Sequence, residues 1–174
     1  MLKKIANFVG FDVCWFALVL SAAGGVWGWG IAAVIGFAAI TLYWGGQRRS
    51  DLIVVASALL IGLIVETTLI QTGLIGFESD FPSSQIAPLW MLGLWANFAL
   101  TLNHSLAFLK QRLGLAAAIG AALGPFAYYT AGEVFGAAHL SPPMWQGLAA
   151  LALAYAIATP LLLAIARRFE SRGG

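Results

Sequence analysis

The most constraining feature of this sequence is its long stretches almost free of charge: several runs of about 20 residues carry at most one formally charged side chain. Wound as a helix at ~1.5 Å per residue, such a run covers the roughly 30 Å hydrocarbon core of a bilayer. Charged residues make up 9% of the chain against 61% hydrophobic, whereas a water-soluble domain needs about a quarter of its residues charged. That composition excludes a soluble globular domain, and the apolar content excludes a disordered chain. The net charge of +2, spread over nine dispersed basic residues, makes no continuous positive stripe, so nucleic acid is not an expected partner. Cys14, the one cysteine, lies inside an apolar run and reads as a small hydrophobe.

The runs fall at about 5–24, 27–46, 52–77, 88–109, 113–139 and 144–166. Short punctuators separate them, such as Gly24-Gly25, Gln47-Arg48-Arg49-Ser50-Asp51 and Ser141-Pro142-Pro143. A membrane barrel would alternate in segments of about ten residues, so strands are not expected. The fold class predicted is a single all-α domain over 1–174, a polytopic membrane bundle of six transmembrane helices. Lys3, Lys4, Arg48, Arg49, Lys110, Arg112, Arg167, Arg168 and Arg172 then all fall in alternate inter-helix segments. By the positive-inside rule that side is cytoplasmic and holds both termini. A five-span arrangement is the rival, because Gly24, Gly25, Gly28 and Gly30 leave the first connection free of charge. The first 23 residues resemble a leader, but Asp12 interrupts a stretch that a cleavable signal keeps uncharged; they are read as a span. Trp27, Trp29, Trp44, Trp90 and Trp145 lie near span ends, as interfacial indoles do.

An ionisable group inside a span costs at least ~2.5 kcal/mol unless it is paired or faces a cavity. Four qualify: Asp12, Glu66, His104 and Glu133. Counting from the cytoplasmic charges puts Asp12 and His104 at roughly 12 and 9 Å depth, and Glu66 and Glu133 at about 22 and 31 Å. Asp12, Asn103 and His104 are therefore expected to form an inner polar cluster, and Glu66, Asn97, Tyr129 and Glu133 an outer one. In helix 4, Asn97, Thr101 and His104 sit at i, i+4 and i+7 and line one helical face. In helix 5, Gly120-x-x-x-Gly124 makes a packing stripe, and Pro125, Tyr129 and Glu133 make a second. Each residue also has a plain structural reading as an interhelical hydrogen-bonding group. With only His104 and His139 to offer, the chain lacks the donor set of a zinc site, and neither metal nor cofactor is expected. Signatures of hydrolases, phosphate loops and haem ligation are missing from the sequence.

The strings Asn7-Phe8, Phe11-Asp12 and Trp15-Phe16, Glu66 with Gly73-Leu74, Pro88-Leu89-Trp90, Thr101-Leu102-Asn103-His104-Ser105, and Gly124-Pro125 with Ala127-Tyr128-Tyr129 resemble an uncharacterised bacterial inner-membrane family, a domain of unknown function (DUF2878). The resemblance covers nearly the whole chain, and Thr-Leu-Asn-His-Ser is its most specific part. It implies a small multi-span protein of the Gram-negative cytoplasmic (inner) membrane, often encoded beside fatty-acid-modifying methyltransferases; it carries no established catalytic residue.

Four functions stay open. The first is handling of a lipid or other hydrophobic molecule in a partly polar cavity open to the bilayer, with membrane lipid as the partner. The second is a small proton-coupled transporter, in which a homo-oligomer would supply the internal repeat that the chain lacks. The third is an intramembrane lipid-modifying enzyme using Glu66 or His104 as acid or base, and the fourth a scaffold for a separate lipid-modifying enzyme. Whether the protein is an enzyme is left undecided by the sequence.

Overall fold

In the computed structural model, residues 1–170 are described; Arg172, counted above among the basic residues, lies outside the described residues. Six α-helices form in chain order: α1 (Leu2–Ala23), α2 (Gly28–Trp44), α3 (Arg48–Gln71), α4 (Leu89–Ala99), α5 (Leu113–Tyr129) and α6 (Met144–Arg168). The architecture is all-helical but for two three-residue strands that the sequence did not predict, β1 (Ile75–Phe77) and β2 (Ala138–Leu140). They pair antiparallel, with Gly76 opposite His139. Four helical stretches are long and apolar enough to cross a membrane: Leu2–Ala23, Arg48–Gln71, Leu113–Val134 and Met144–Arg168. α2, with 17 residues, and α4, with 11, are shorter.

Local chemistry explains where the elements depart from the apolar runs. The third run continues to Phe77 in hydropathy, yet α3 stops at Gln71 because Gly73 takes φ 70°. Leu74 N–H then bonds Leu69 O and Gly73 N–H bonds Ile70 O, the two bonds of a Schellman cap. The fifth run likewise ends early: α5 passes into one π-helical turn, Thr130–Val134, Gly136 takes φ 69°, and the chain enters β2.

The fourth run departs most. After Ala99 the backbone follows successive tight turns and then a short 3₁₀ helix, Ala107–Gln111. Thr101 Oγ1 bonds Phe98 O at 2.6 Å, and the side chains of Asn103 and His104 reach sideways to α3. The backbone groups released by the break are met from α1: Asn7 Nδ2 donates to Leu100 O at 3.1 Å, and Asn7 Oδ1 accepts from Ser105 N–H at 3.2 Å and Ser105 Oγ at 2.7 Å. Irregular backbone inside a bilayer is tolerated only where protein encloses it in this way.

α4 is the central helix, packed against α1, α2 and α3, with Trp90, Met91, Gly93, Trp95, Asn97 and Ala99 buried. α5 and α6 form the tightest pair. A Cβ on Gly120 would lie 2.4 Å from Tyr155 O, and one on Gly124 2.6 Å from the Tyr155 ring, so the expected small-residue stripe is used inside the chain.

Hydrogen bonds define two ends of the bundle. At one, Lys3 Nζ donates to Trp44 O, Ser50 Oγ to Ala166 O, and Lys110 pairs with Glu170 at 3.1 Å; this basic end gathers the start of α1 and α3 with the end of α2 and α6. At the other, Trp90 Nε1 donates to Ser79 O and Ser141 N–H to Leu74 O beside the hairpin. Trp90 is only 1% exposed and packs edge to face on Phe77, so it locks the hairpin end from within, unlike the exposed Trp29 and Trp145.

Candidate functional site

Two polar clusters lie on one buried stripe of α3, formed by Asp51, Val54, Ala58, Gly62, Glu66 and Leu69 at i+3 and i+4 steps. Its two carboxyl groups are separated by fifteen residues, roughly 22 Å of helix. Both are fully enclosed, at 0% exposure.

In the first cluster, Glu66 Oε1 accepts two hydrogen bonds: from Trp95 Nε1 at 2.8 Å and from the Tyr128 hydroxyl. Trp95 stacks on Tyr155 with centroids 5.0 Å apart, Tyr128 meets Tyr155 edge on at 6.1 Å, and the Tyr128 oxygen lies 3.3 Å from Met91 Sδ. The carboxyl is thus built into an aromatic wall from α4, α5 and α6. Gly62, one turn earlier, makes room for it: a Cβ there would fall 2.5 Å from the Trp95 ring. Glu66 Oε2 is buried and has no hydrogen-bond partner among the described residues.

In the second cluster, Asp51 Oδ1 accepts from Asn103 Nδ2 at 2.8 Å, and His104 Nε2 lies 3.2 and 3.1 Å from Asp51 Oδ1 and Oδ2. Asn103 Nδ2 is also 2.9 Å from Ser50 Oγ, which bonds Ala166 O. Asn103 Oδ1 is buried without a partner among the described residues.

The residues singled out from the sequence divide accordingly. Asn103 and His104 come together as expected, but their carboxylate is Asp51 in place of Asp12. Asp51 begins α3, where the sequence reads as a punctuator, while Asp12 is half-buried and makes no hydrogen bond among the described residues. Glu66 is central to its cluster, but Asn97, Tyr129 and Glu133 do not join it. Asn97 Nδ2 donates to Phe11 O at 3.0 Å, Tyr129 is 45% exposed, and Glu133 is exposed. Asn97, Thr101 and His104 share no face, because the helix breaks between the first two. Tyr128 takes the place expected of Tyr129. The signal for it was present: Ala116, Gly120, Gly124 and Tyr128 run at i+4 steps, and that is the face α5 buries. Trp95 has no comparable signal, since its role depends on Gly62 of another helix.

Neither of two surface cavities reaches these groups. One, of about 260 Å³ at the hairpin end, is lined by Phe77, Asp80, Ser83, Ser84 and His139 among others. The other is an open groove of about 460 Å³ on α3, lined by Leu63, Ile64, Thr67, Thr68 and Ile86.

The stretch from residue 4 to residue 161 matches the family model described as a protein of unknown function, DUF2878. The chain belongs to the DUF2878 family. No curated protein and no solved structure matches it. The matched stretch contains Asn7, Asp51, Glu66, Trp95, Asn103, His104 and Tyr128, so both clusters lie within the family domain.

Proposed function

We propose that this DUF2878 protein binds or handles a lipid or other hydrophobic molecule in the membrane, along the α3 groove, with Glu66 as the polar group behind it. The supporting observation is their coincidence on two turns of one helix: Leu63, Ile64 and Thr68 face outward into the groove while Glu66 faces the core. The groove is shallow, open and lined mainly by apolar groups, and an acyl chain is the apolar occupant a bilayer offers to an open groove on a spanning helix. In this reading all six helices traverse the bacterial inner membrane, α4 in its broken form, with the basic end in the cytoplasm. A homo-oligomer, or a lipid-modifying enzyme docked beside the bundle, would receive or supply the bound molecule.

Native mass spectrometry of protein extracted gently from its own membrane tests this directly. Wild type should retain a defined lipid, and Leu63→Trp, which fills the groove from its rim, should lose it while staying folded. Retention of nothing by wild type, or equal retention by Leu63→Trp, would overturn the reading.

A second reading, a proton-coupled carrier, draws on Glu66 Oε2. This enclosed carboxyl oxygen has no hydrogen-bond partner among the described residues and is a position at which a proton could be carried. In proteoliposomes, uptake driven by a pH gradient would be abolished by Glu66→Gln; uptake indifferent to that change would remove Glu66 from the mechanism.

A further inference from the structure

We propose that Asp51 and His104 form a proton-binding dyad at the basic end of the bundle, and that the proton it takes up clamps the broken segment 100–106 to α3 and α6. This site is separate from the groove and from Glu66, and does not depend on either.

Asp51 is enclosed at 0% exposure, and no Lys or Arg contacts it among the described residues. Its charge partner is the His104 imidazole. To bond a carboxylate, Nε2 must carry a hydrogen, so the neutral ring has its lone pair on Nδ1. Nδ1 has no hydrogen-bond partner among the described residues, and His104 retains 13% of its side-chain surface. A proton arriving there converts a neutral donor into an imidazolium facing a carboxylate, and shielding from water strengthens that attraction. The other charged groups at this end are occupied or turned to solvent. Lys3 donates to Trp44 O, Arg48 to Leu42 O, and Lys110 pairs with Glu170, while Lys4, Arg49, Arg112, Arg167 and Arg168 are exposed.

The dyad is wired to three further elements. Asn103 Nδ2 bonds Asp51 and Ser50 together, and Ser50 reaches α6 through Ala166 O. The His104 ring lies against the end of α2, where a Cβ on Gly45 would come within 2.5 Å of Cε1. Asn7 holds the other side of the break from α1. The segment has turns in place of regular helical bonds and is held by side chains from α1 and α3, so the strength of the dyad contributes to how firmly it is held. Protonated, the dyad holds the segment 100–106 against α3 and, through Ser50, α6; as pH rises and the ring loses its proton, the clamp weakens.

The test uses full-length protein in lipid nanodiscs with ¹⁵N-labelled histidine rings and a His139→Gln background, which leaves His104 as the one labelled ring. Between about pH 8 and pH 5, where histidine titrates, Nδ1 should gain a proton while Nε2 keeps its own throughout. Over the same interval the Ser105 amide, corrected for intrinsic exchange, should become at least about fivefold more protected, the lower bound for coupled sites. Asp51→Asn should keep a hydrogen bond to the ring but abolish the change at Ser105. A ring fixed in one protonation state over this interval, or one that titrates with no change at Ser105, would overturn the proposal. The wild-type titration decides this even if Asp51→Asn fails to fold. Glu66→Gln should leave the titration unchanged, so failure of the groove reading would be distinguishable from failure of this one.

Discussion

At the scale of single residues, Glu66 shows how a carboxyl is accommodated in an apolar bundle: one oxygen takes two donors from different helices, and a glycine one turn away admits the indole that supplies one of them. Tyr128→Phe removes a donor while preserving the ring, and should cost roughly 0.5–1.5 kcal/mol, the net value of one hydrogen bond, read as a shift in the unfolding midpoint in mild denaturant. Gly62→Ala should cost more, about 1–3 kcal/mol from overpacking, because its Cβ meets the buried Trp95 ring at 2.5 Å with α5 and α6 behind it. A neutral result for Gly62→Ala would mean that the Trp95 ring swings away at no cost. Of this site, Glu66 was legible in the sequence because an acid inside an apolar run stands out. Tyr128 was legible only through the i+4 row of small residues that it continues on α5; Trp95 and Asp51 were not, since an indole in a membrane helix is ordinary and an aspartate beside Arg48 and Arg49 reads as a solvated turn.

At the scale of elements, the decisive feature is the break in α4. Apolar content predicts a continuous helix to about residue 109, and hydropathy alone cannot distinguish a helix from a turn that protein encloses. The break exists because Asn7 supplies both a donor and an acceptor to the freed backbone. Asn7→Leu should therefore leave the buried Leu100 carbonyl and the part-buried Ser105 N–H without their partner, at about 1–3 kcal/mol for the carbonyl and less for the amide. The effect should concentrate in faster exchange of the Ser105 amide, with the α5–α6 pair unaffected. Uniformly faster exchange across the bundle would show instead that Asn7 holds the whole fold.

At the scale of the molecule, one end of the bundle gathers Lys3, Ser50 and Lys110 and the other gathers Trp90, Ser79 and Ser141, and the alternating arrangement of the spans predicts that these ends face opposite sides of a membrane. Single cysteines at Arg49 and Ser84, both exposed, should react with an impermeant thiol reagent from opposite faces of sealed vesicles, while Cys14, at 4% exposure, stays silent. Reaction of both from one face would refute the alternating arrangement.

The sequence by itself determined that this chain forms helices long and apolar enough to cross a membrane, because apolar length and scarcity of charge act locally and add along the chain. It also determined that Glu66, Asn103 and His104 mark polar positions, because an ionisable or amide group in hydrocarbon is costly wherever it sits. Only the tertiary structure decided which groups meet that cost: Asp51 for His104, Trp95 and Tyr128 for Glu66, and Asn7 for the broken backbone. These partners lie 29 to 98 residues apart in sequence, so their meeting is fixed by how the helices pack against one another, not by periodicity within any one helix.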